Sequence, residues 1–455
     1  MRWSVWCLAT TVAAASLLNP CTVHACARVR TVVRMCAFAS RKSIDVSHAS
    51  AAAQRHVQPS DEAEIELVEL LSTCIDACEH GCSEIRRIHD KLERDHLGTV
   101  THVDYKACDD FRSALTSADL ASQQAICTAL KHEWPSLRIV GEENLEGYAS
   151  DKFADQPCSL RHDLCSHLAP LHVPLSEICI FVDPLDGTRE FVEGRVQNVQ
   201  VLIGIAFQGR SVGGVIGQPF ARDRGADESK SVTRNENHVA DTTKTHAIQV
   251  VYALDGAAGH SEHEEKDNTL TPTVGGIWST YPRPNVSIYG ARPLLVTGDA
   301  QDAALTAAYE AALSCGGQHV QLGGTGRKCL AIAEGCADIA IMNFQSSAWD
   351  TCAPEAVVRA GGGDVTDLFG DRIIYLAEPS DPATYMNECG VIVSAAGLGG
   401  QHRAVCAAMR NNPKALERLK RWGLGDTRSG KPSAEAVGKA LRKRREHMRS
   451  GLSTR

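Results

Sequence analysis

The chain has 455 residues, enough to bury one large α/β core of two packed lobes with extensions at both ends. Its 47 Lys and Arg against 55 Asp and Glu leave a formal charge of −8, but residues 1–60 carry six excess positive charges and residues 410–455 carry ten, so the stretch between them carries −24. So acidic a body excludes unaided attraction of nucleic acid or a polyanionic substrate, and 18 scattered cysteines without zinc-type CxxC pairs exclude a disulfide-stapled secreted scaffold.

Residues 1–27 join Arg2, an apolar run over 3–18 and Ala25-Cys26-Ala27 in the pattern of a secretory signal peptide; the run is short for a membrane span. Residues 28–58 are rich in Arg, Ser and Ala and nearly free of acids, as transit peptides are. Together they predict a leader at 1–58 that directs import into a plastid or mitochondrion. A signal anchor, or a secretory or cytoplasmic protein, is the alternative.

Over residues 61–95 the apolar spacing of three and four predicts a long amphipathic helix, with Cys74, Cys78 and Cys82 on its buried face. After a turn at Gly98 comes Thr116-Ser117-Ala118-Asp119, followed by a helix to about Glu133; Asp119 alone would be a helix-start cap. A short strand at 137–140 closes in Gly141-Glu142-Glu143, by itself a surface turn. Residues 145–176 have little periodicity and predict a loop-rich insertion with one short helix.

The apolar β-branched run 178–182 ends abruptly in Asp183-Pro184-Leu185-Asp186-Gly187-Thr188. A buried strand thus delivers two carboxylates to its own C-terminal edge, where open α/β sheets bind ligands. Pro184 stops strand pairing and Gly187 permits a tight turn, leaving Asp183 and Asp186 to converge on a hard divalent ion. A lone DxxD is more often a polar turn whose acids cap backbone N–H groups. Six specific residues after a strand move the balance to metal.

Residues 198–207 and 211–219 predict a hairpin turning at Gln208-Gly209. The polar stretch 222–273, with His260, Glu262, His263, Glu264 and Glu265, predicts a solvated insertion rather than a transition-metal site. A second lobe, begun near Leu294 and placed at 291–409, has a helix at 303–313 and a strand at 320–322 that runs into Gly323-Gly324-Thr325-Gly326-Arg327-Lys328. Such a turn either presents N–H groups and the Lys328 charge to an anion or is only tight. A strand at 339–342 precedes Trp349-Asp350-Thr351-Cys352-Ala353-Pro354-Glu355-Ala356, where Asp350 starts a helix over 354–360, and strands within 361–369 and 390–395 close the lobe. The helix predicted at 433–448 ends in basic residues and reads as a solvated tail on the 410–455 extension, a membrane-surface, nucleic-acid or targeting role being the alternative.

The motifs TSAD, GEE, VDPLDGTREF and WDTCAPEA, in this order over residues 61–222 and 276–408, resemble the signature set of the lithium-sensitive, Mg²⁺-dependent phosphomonoesterase superfamily. Arg189-Glu190-Phe191, NVQVLIGIAF and GGVIGQPF are similar to its nucleotidase branch rather than its inositol monophosphatase branch, with Arg189 where Lys is commoner. The resemblance implies a five-layer α-β-α-β-α sandwich of the inositol monophosphatase and fructose-1,6-bisphosphatase type over residues 59–409, with a first lobe at 59–290. It also implies two or three Mg²⁺ ions held by Glu142, Asp183, the Leu185 carbonyl, Asp186 and Asp350, with Glu143 in support. By the same resemblance Asp119 and Thr188 orient an attacking water, the amides after Gly187 face the phosphate, and Gly324 and Lys328 help to bind it. The implied reaction is hydrolysis of the 3′-phosphate of 3′-phosphoadenosine 5′-phosphate, inhibited by Li⁺. Where the nucleotidases carry a Ser- and His-containing stretch, this chain has Val296-Thr297-Gly298-Asp299-Ala300, which keeps inositol phosphates open as substrates and, outside catalysis, a phospho-ligand sensor.

Overall fold

The computed structural model describes residues 63–96, 107–144, 158, 160–161, 168, 170–221, 247–254, 276–279, 293–299, 302–379, 382–425 and 432–453. These belong to one unit, Glu62–Arg455; the other, Met1–Asp61, takes in the segment read above as a leader and lies outside the described residues, as does the 260–265 cluster.

Strand β1 (Glu64–Glu66) runs straight into helix α1 (Leu67–His96), and the Glu66 carboxylate accepts from Val68 N (2.9 Å) and Glu69 N (3.0 Å) at the helix start. As the spacing predicts, α1 buries Leu70, Leu71, Cys74, Ile75, Cys78, Cys82 and Ile85. Each such side chain removed from water contributes roughly 1.5–3 kcal/mol. Helix α2 (Ala107–Glu133) packs along α1, and β2 (Arg138–Gly141) follows it. Strand β3 (His172–Pro174) pairs antiparallel with β1, then comes β4 (Ile178–Asp186), buried at all nine positions. The five-residue helix α3 (Thr188–Val192) leads to β5 (Gln200–Phe207), β6 (Arg210–Ala221), β7 (Ala247–Leu254) and β8 (Gly276–Ser279).

Six of these strands form one sheet in the order β2-β4-β5-β6-β7-β8, in which only β2 and β4 are parallel among the described pairs. The β5–β6 hairpin turns as predicted at Gln208 (φ 49°) and Gly209 (φ 73°), the two positive φ angles a tight hairpin requires.

The second half supplies β9 (Leu294–Thr297), α4 (Thr306–Ala312), β10 (Gln318–Gln321), α5 (Thr325–Ala333), β11 (Ile339–Met342), α6 (Ala348–Ala360), β12 (Asp364–Asp367), β13 (Val391–Ser394), α7 (Gly399–Arg410), α8 (Pro413–Leu416) and α9 (Ala434–Ser453). Its five-stranded sheet has the order β10-β9-β11-β13-β12. Helices α1 and α2 cover the outer face of the first sheet, α5 and α6 lie between the sheets, and α4 and α7 cover the far face of the second. The result is the five-layer α-β-α-β-α sandwich. Two paired glycines let the middle layer approach: a Cβ on Gly214 would stand 2.3 Å from the Ala353 carbonyl oxygen, and one on Gly204 would stand 2.5 Å from Cys352 Cβ.

Four expectations are corrected. Helix α2 starts at Ala107, so Asp119 lies inside it and is no helix-start cap. Helix α6 starts at Ala348, not 354, because Ser347 and Asp350 form a capping box there, and Pro354 is interior. The stretch 222–273 is not wholly an insertion, since β7 lies within it and pairs with β6 along its length. Nor is the extension wholly a solvated tail: α9 buries Val437, Ala440 and Leu441 in the core, and Arg444 reaches Asp367 (2.5 Å) and Asp371 (3.7 Å).

Candidate active site

Strand β4 follows β5 in register to Asp183↔Leu202, then bulges and resumes at Asp186↔Gln200. The bulge turns both carboxylates off the ladder. Asp183, 2 % exposed, accepts from Leu185 N at 3.0 Å. Asp186 accepts from Thr325 N (2.9 Å) and Gly326 N (2.8 Å), so the glycine-rich turn at the start of α5 is docked on it. Gly187, at φ 89°, then turns the chain into α3.

Two other elements bring acids to the same edge. Glu142 N donates to Val182 O (3.1 Å), extending the parallel β2–β4 pairing one residue so that Glu142 emerges beside Asp183. Asp350 stands at the third position of α6, where one oxygen accepts from Ser347 N at 2.7 Å. Glu142, Asp186 and Asp350 all lie close enough to Asp183 for their charges to act on its carboxyl. Asp119, buried on α2, faces Glu142 and Glu143.

Burial and crowding raise every one of these acids. Asp183 is held well above the carboxylate range by burial first, then by the charges of Glu142, Asp186 and Asp350. Asp350 is pushed up to about 7 by burial and by Asp186. Asp119 is pushed to about 8 by burial, with Glu142 and Glu143 adding to it. Burial raises Glu142 as well, against the hydrogen bond from Asp183. Asp186 is raised by burial too, and Lys328 and the amides of the α5 turn oppose the rise.

An all-oxygen donor set with more negative charge than one lysine balances fits a hard divalent cation. Among the described residues, the group of three whose donor atoms all lie within 4.8 Å of one another is His89, Asp90 and Glu93 rather than the acids at the β4 edge, but the His89 ring packs edge-on to Phe191 and Phe220, as a core anchor does.

The structure therefore brings Glu142, Asp183, Asp186 and Asp350 together, with Asp119 beside them and Leu185 buried between two of the acids. Thr188 heads α3, exposed, with Gly187 half-buried before it. The five residues of α3 are too few for a dipole of consequence at the phosphate. Lys328, 5 % exposed, donates from Nζ to Gly324 O (2.6 Å) and Leu322 O (3.3 Å). It fastens the turn, and Gly324 (φ 74°) serves the same turn, 3.0 Å from Asp186 by its would-be Cβ.

Sequence reasoning missed the support behind the turn. Glu190, buried and held below its ordinary range by Arg195 and Asn198, lies so close to Gly323 that a Cβ there would stand 2.1 Å from its carboxyl carbon. The signal was the glycine pair Gly323-Gly324 itself, which marks a close approach. Missed also was Arg189, which pairs with Glu193 (2.6 Å) and with Asp299 in the departing 296–300 stretch.

These features define a layered α/β protein whose site is a set of buried carboxylates at a strand edge. Residues 84–414 match the inositol monophosphatase family, and the chain belongs to this family of phosphatases. It is 31 % identical over 337 residues to 3′(2′),5′-bisphosphate nucleotidase 1 of Dictyostelium discoideum, a match covering 72 % of this chain and 94 % of that one. To the human protein of the same name it is 28 % identical over 290 residues, covering 61 % and 78 %. The inositol monophosphatase structure from Anabaena aligns over 74 % of this chain and 95 % of its own at 16 % identity and a TM-score of 0.43. No described helix is long and apolar enough to cross a membrane.

Proposed function

We propose that this chain removes the 3′-phosphate of 3′-phosphoadenosine 5′-phosphate, giving AMP and phosphate, with Mg²⁺ as its cofactor and Li⁺ as an inhibitor. The observation that carries the reading is the gathering of Glu142, Asp186 and Asp350 around the buried Asp183, a set of charges whose repulsion a cation would relieve. The nucleotidase name of the Dictyostelium relative supports the substrate class.

Glu142, Asp183, the Leu185 carbonyl, Asp186 and Asp350 would hold the metal, which supplies Lewis-acid polarisation of phosphate oxygens and a more acidic water. The chain's own part is to orient and to move a proton. Asp119, which faces Glu142 and Glu143, is placed to orient the attacking water and, once its carboxyl is ionised, to accept a proton from it. The Thr188 hydroxyl, exposed at the head of α3, is free to orient that water. Residues 1–58 we assign to organellar import and the reaction to clearing a by-product of sulfation.

Phosphate release should be measured with 3′-phosphoadenosine 5′-phosphate, inositol 1-phosphate and inositol 1,4-bisphosphate, with Mg²⁺, with Li⁺, and with Asp183→Asn. Preferential, lithium-inhibited turnover of the nucleotide that vanishes in the variant is the expected result. Preference for an inositol phosphate, which the departing 296–300 stretch favours, would keep the chemistry and move the substrate. No turnover by folded protein would sink the enzyme reading.

A further inference from the structure

Helix α2 brings more to the site than Asp119. One turn further along, Ser122 and Gln123 are 0 % and 2 % exposed, and each hydrogen-bonds the backbone of a different acid-bearing turn. Ser122 Oγ donates to Pro184 O at 2.9 Å, between Asp183 and Asp186. Gln123 Nε2 donates to Glu143 O at 2.6 Å, and its Oε1 accepts from Glu143 N at 2.9 Å. The carboxamide thus pairs with Glu143 on both backbone groups, as a neighbouring strand would. Both side chains are wedged: a Cβ on Gly141 would stand 2.5 Å from the Gln123 amide, and one on Gly81 would stand 2.8 Å from Ser122 Oγ.

The consequence concerns carboxylates that repel one another. Left to itself, a turn such as 141–144 relaxes away from a neighbouring acid. Here Glu142 is fixed on one side by the hydrogen bond its N–H donates to Val182 O and on the other by Gln123 through Glu143. The turn of Asp183 and Asp186 is tied to the same helix through Ser122.

We propose that Ser122 and Gln123 are positioning residues that set the separation of Asp119, Glu142 and Asp183 and thereby the affinity of the site for a divalent cation. The inference rests on the metal-dependent reading above. Partners that orient metal-binding acids are worth about 10–100-fold in affinity or activity when removed.

The test is equilibrium Mn²⁺ binding to the full chain, followed by electron paramagnetic resonance of the free ion, for wild type, Ser122→Ala, Gln123→Met and Asp183→Asn. Ser394→Ala, which deletes the 2.9 Å contact between Ser394 Oγ and His402 Nδ1 on β13, is the control for a buried hydrogen bond lost elsewhere. Gln123→Met should weaken Mn²⁺ binding by about 10–100-fold and Ser122→Ala by a smaller factor, while Ser394→Ala lowers the melting temperature and leaves the affinity alone. Ser122→Ala deletes a single oxygen and keeps the test decisive should Gln123→Met not fold. Wild-type affinity in the folded variants would overturn the positioning role. Wild type that binds Mn²⁺ no better than Asp183→Asn would remove the metal reading, and the positioning role with it.

Discussion

Lys328 carries an ammonium into a site made of acids, yet its Nζ donates to two carbonyl oxygens of its own turn, those of Gly324 and Leu322. Burial lowers its pKa and the Asp186 charge raises it again, so charge on the lysine and charge on the aspartate sustain each other. Replacing it by Met would take the Nζ donor from the Leu322 and Gly324 carbonyls and the counter-charge from Asp186. We expect Lys328→Met to lose about 3 kcal/mol in urea unfolding, the range for breaking a buried ion pair from one side. Inhibition by inorganic phosphate should change less than about threefold in the folded variant, under 1 kcal/mol. A loss of phosphate affinity of about tenfold or more, some 1.4 kcal/mol, would mean that the ammonium does reach the anion.

At the scale of elements, α6 is the part whose placement decides the site, because it carries Asp350 and lies directly on the β5–β6 hairpin. A methyl on Gly214 meets the Ala353 carbonyl at 2.3 Å, and backbone cannot step aside as a flexible side chain does. Gly214→Ala should therefore cost about 1–3 kcal/mol and displace Asp350, so that Mg²⁺-dependent turnover falls more than stability alone explains. Gly194→Ala, whose Cβ meets nothing within 4 Å although φ is 73°, should lose only its backbone preference and keep its activity. Equal activity loss in the two would refute the link to α6. The glycines of GGVIGQPF were visible in the sequence, as were β4, the hairpin and the stripe of α1, because period and turn residues agree there. Three elements were hidden for physical reasons. Residues 107–118 mix Asp109 and Asp110 with Ser and Thr, residue types that favour caps and turns over helix interiors. Strand β7, AIQVVYAL, is lost in the average of polar flanks on both sides. The buried stripe of α9 is Val437, Ala440 and Leu441 followed by Arg444, and an arginine reads as solvent-facing until Asp367 and Asp371 are found across from it. In the site, the acids themselves were legible from their motifs, whereas Ser122 and Gln123 could be placed only once Asp119 was known to lie inside a helix, three and four positions before them.

For the whole molecule, the raised acids make stability a function of pH and of cation. Asp350 at about 7 and Asp119 at about 8 both lie above the ordinary aspartate value of about 3.9, so between roughly pH 4 and pH 8 the folded state holds protons that the unfolded state has released. Their stabilising share is complete below about pH 4 and is lost as pH rises through 7 and 8, at no more than about 1.4 kcal/mol per pH unit for each proton held. Glu190 works the other way: lowered by Arg195, it stabilises above its unfolded value and loses that share in acid. With cation chelated, the melting temperature should peak in mild acid and fall by several degrees towards pH 8, a trend that melting curves in EDTA would follow directly. A cation bound to the folded state alone reverses this by mass action, so 10 mM Mg²⁺ should raise the melting temperature far more at pH 8 than at pH 5, where protons already occupy the carboxyls. Asp183→Asn, which removes the charge at the centre of the cluster, should be more stable than wild type in EDTA at pH 8 and should gain little from Mg²⁺. Melting temperatures independent of both pH and Mg²⁺ would mean that the −24 body carries its acids without strain and that the cluster at the edge of β4 is no cation site.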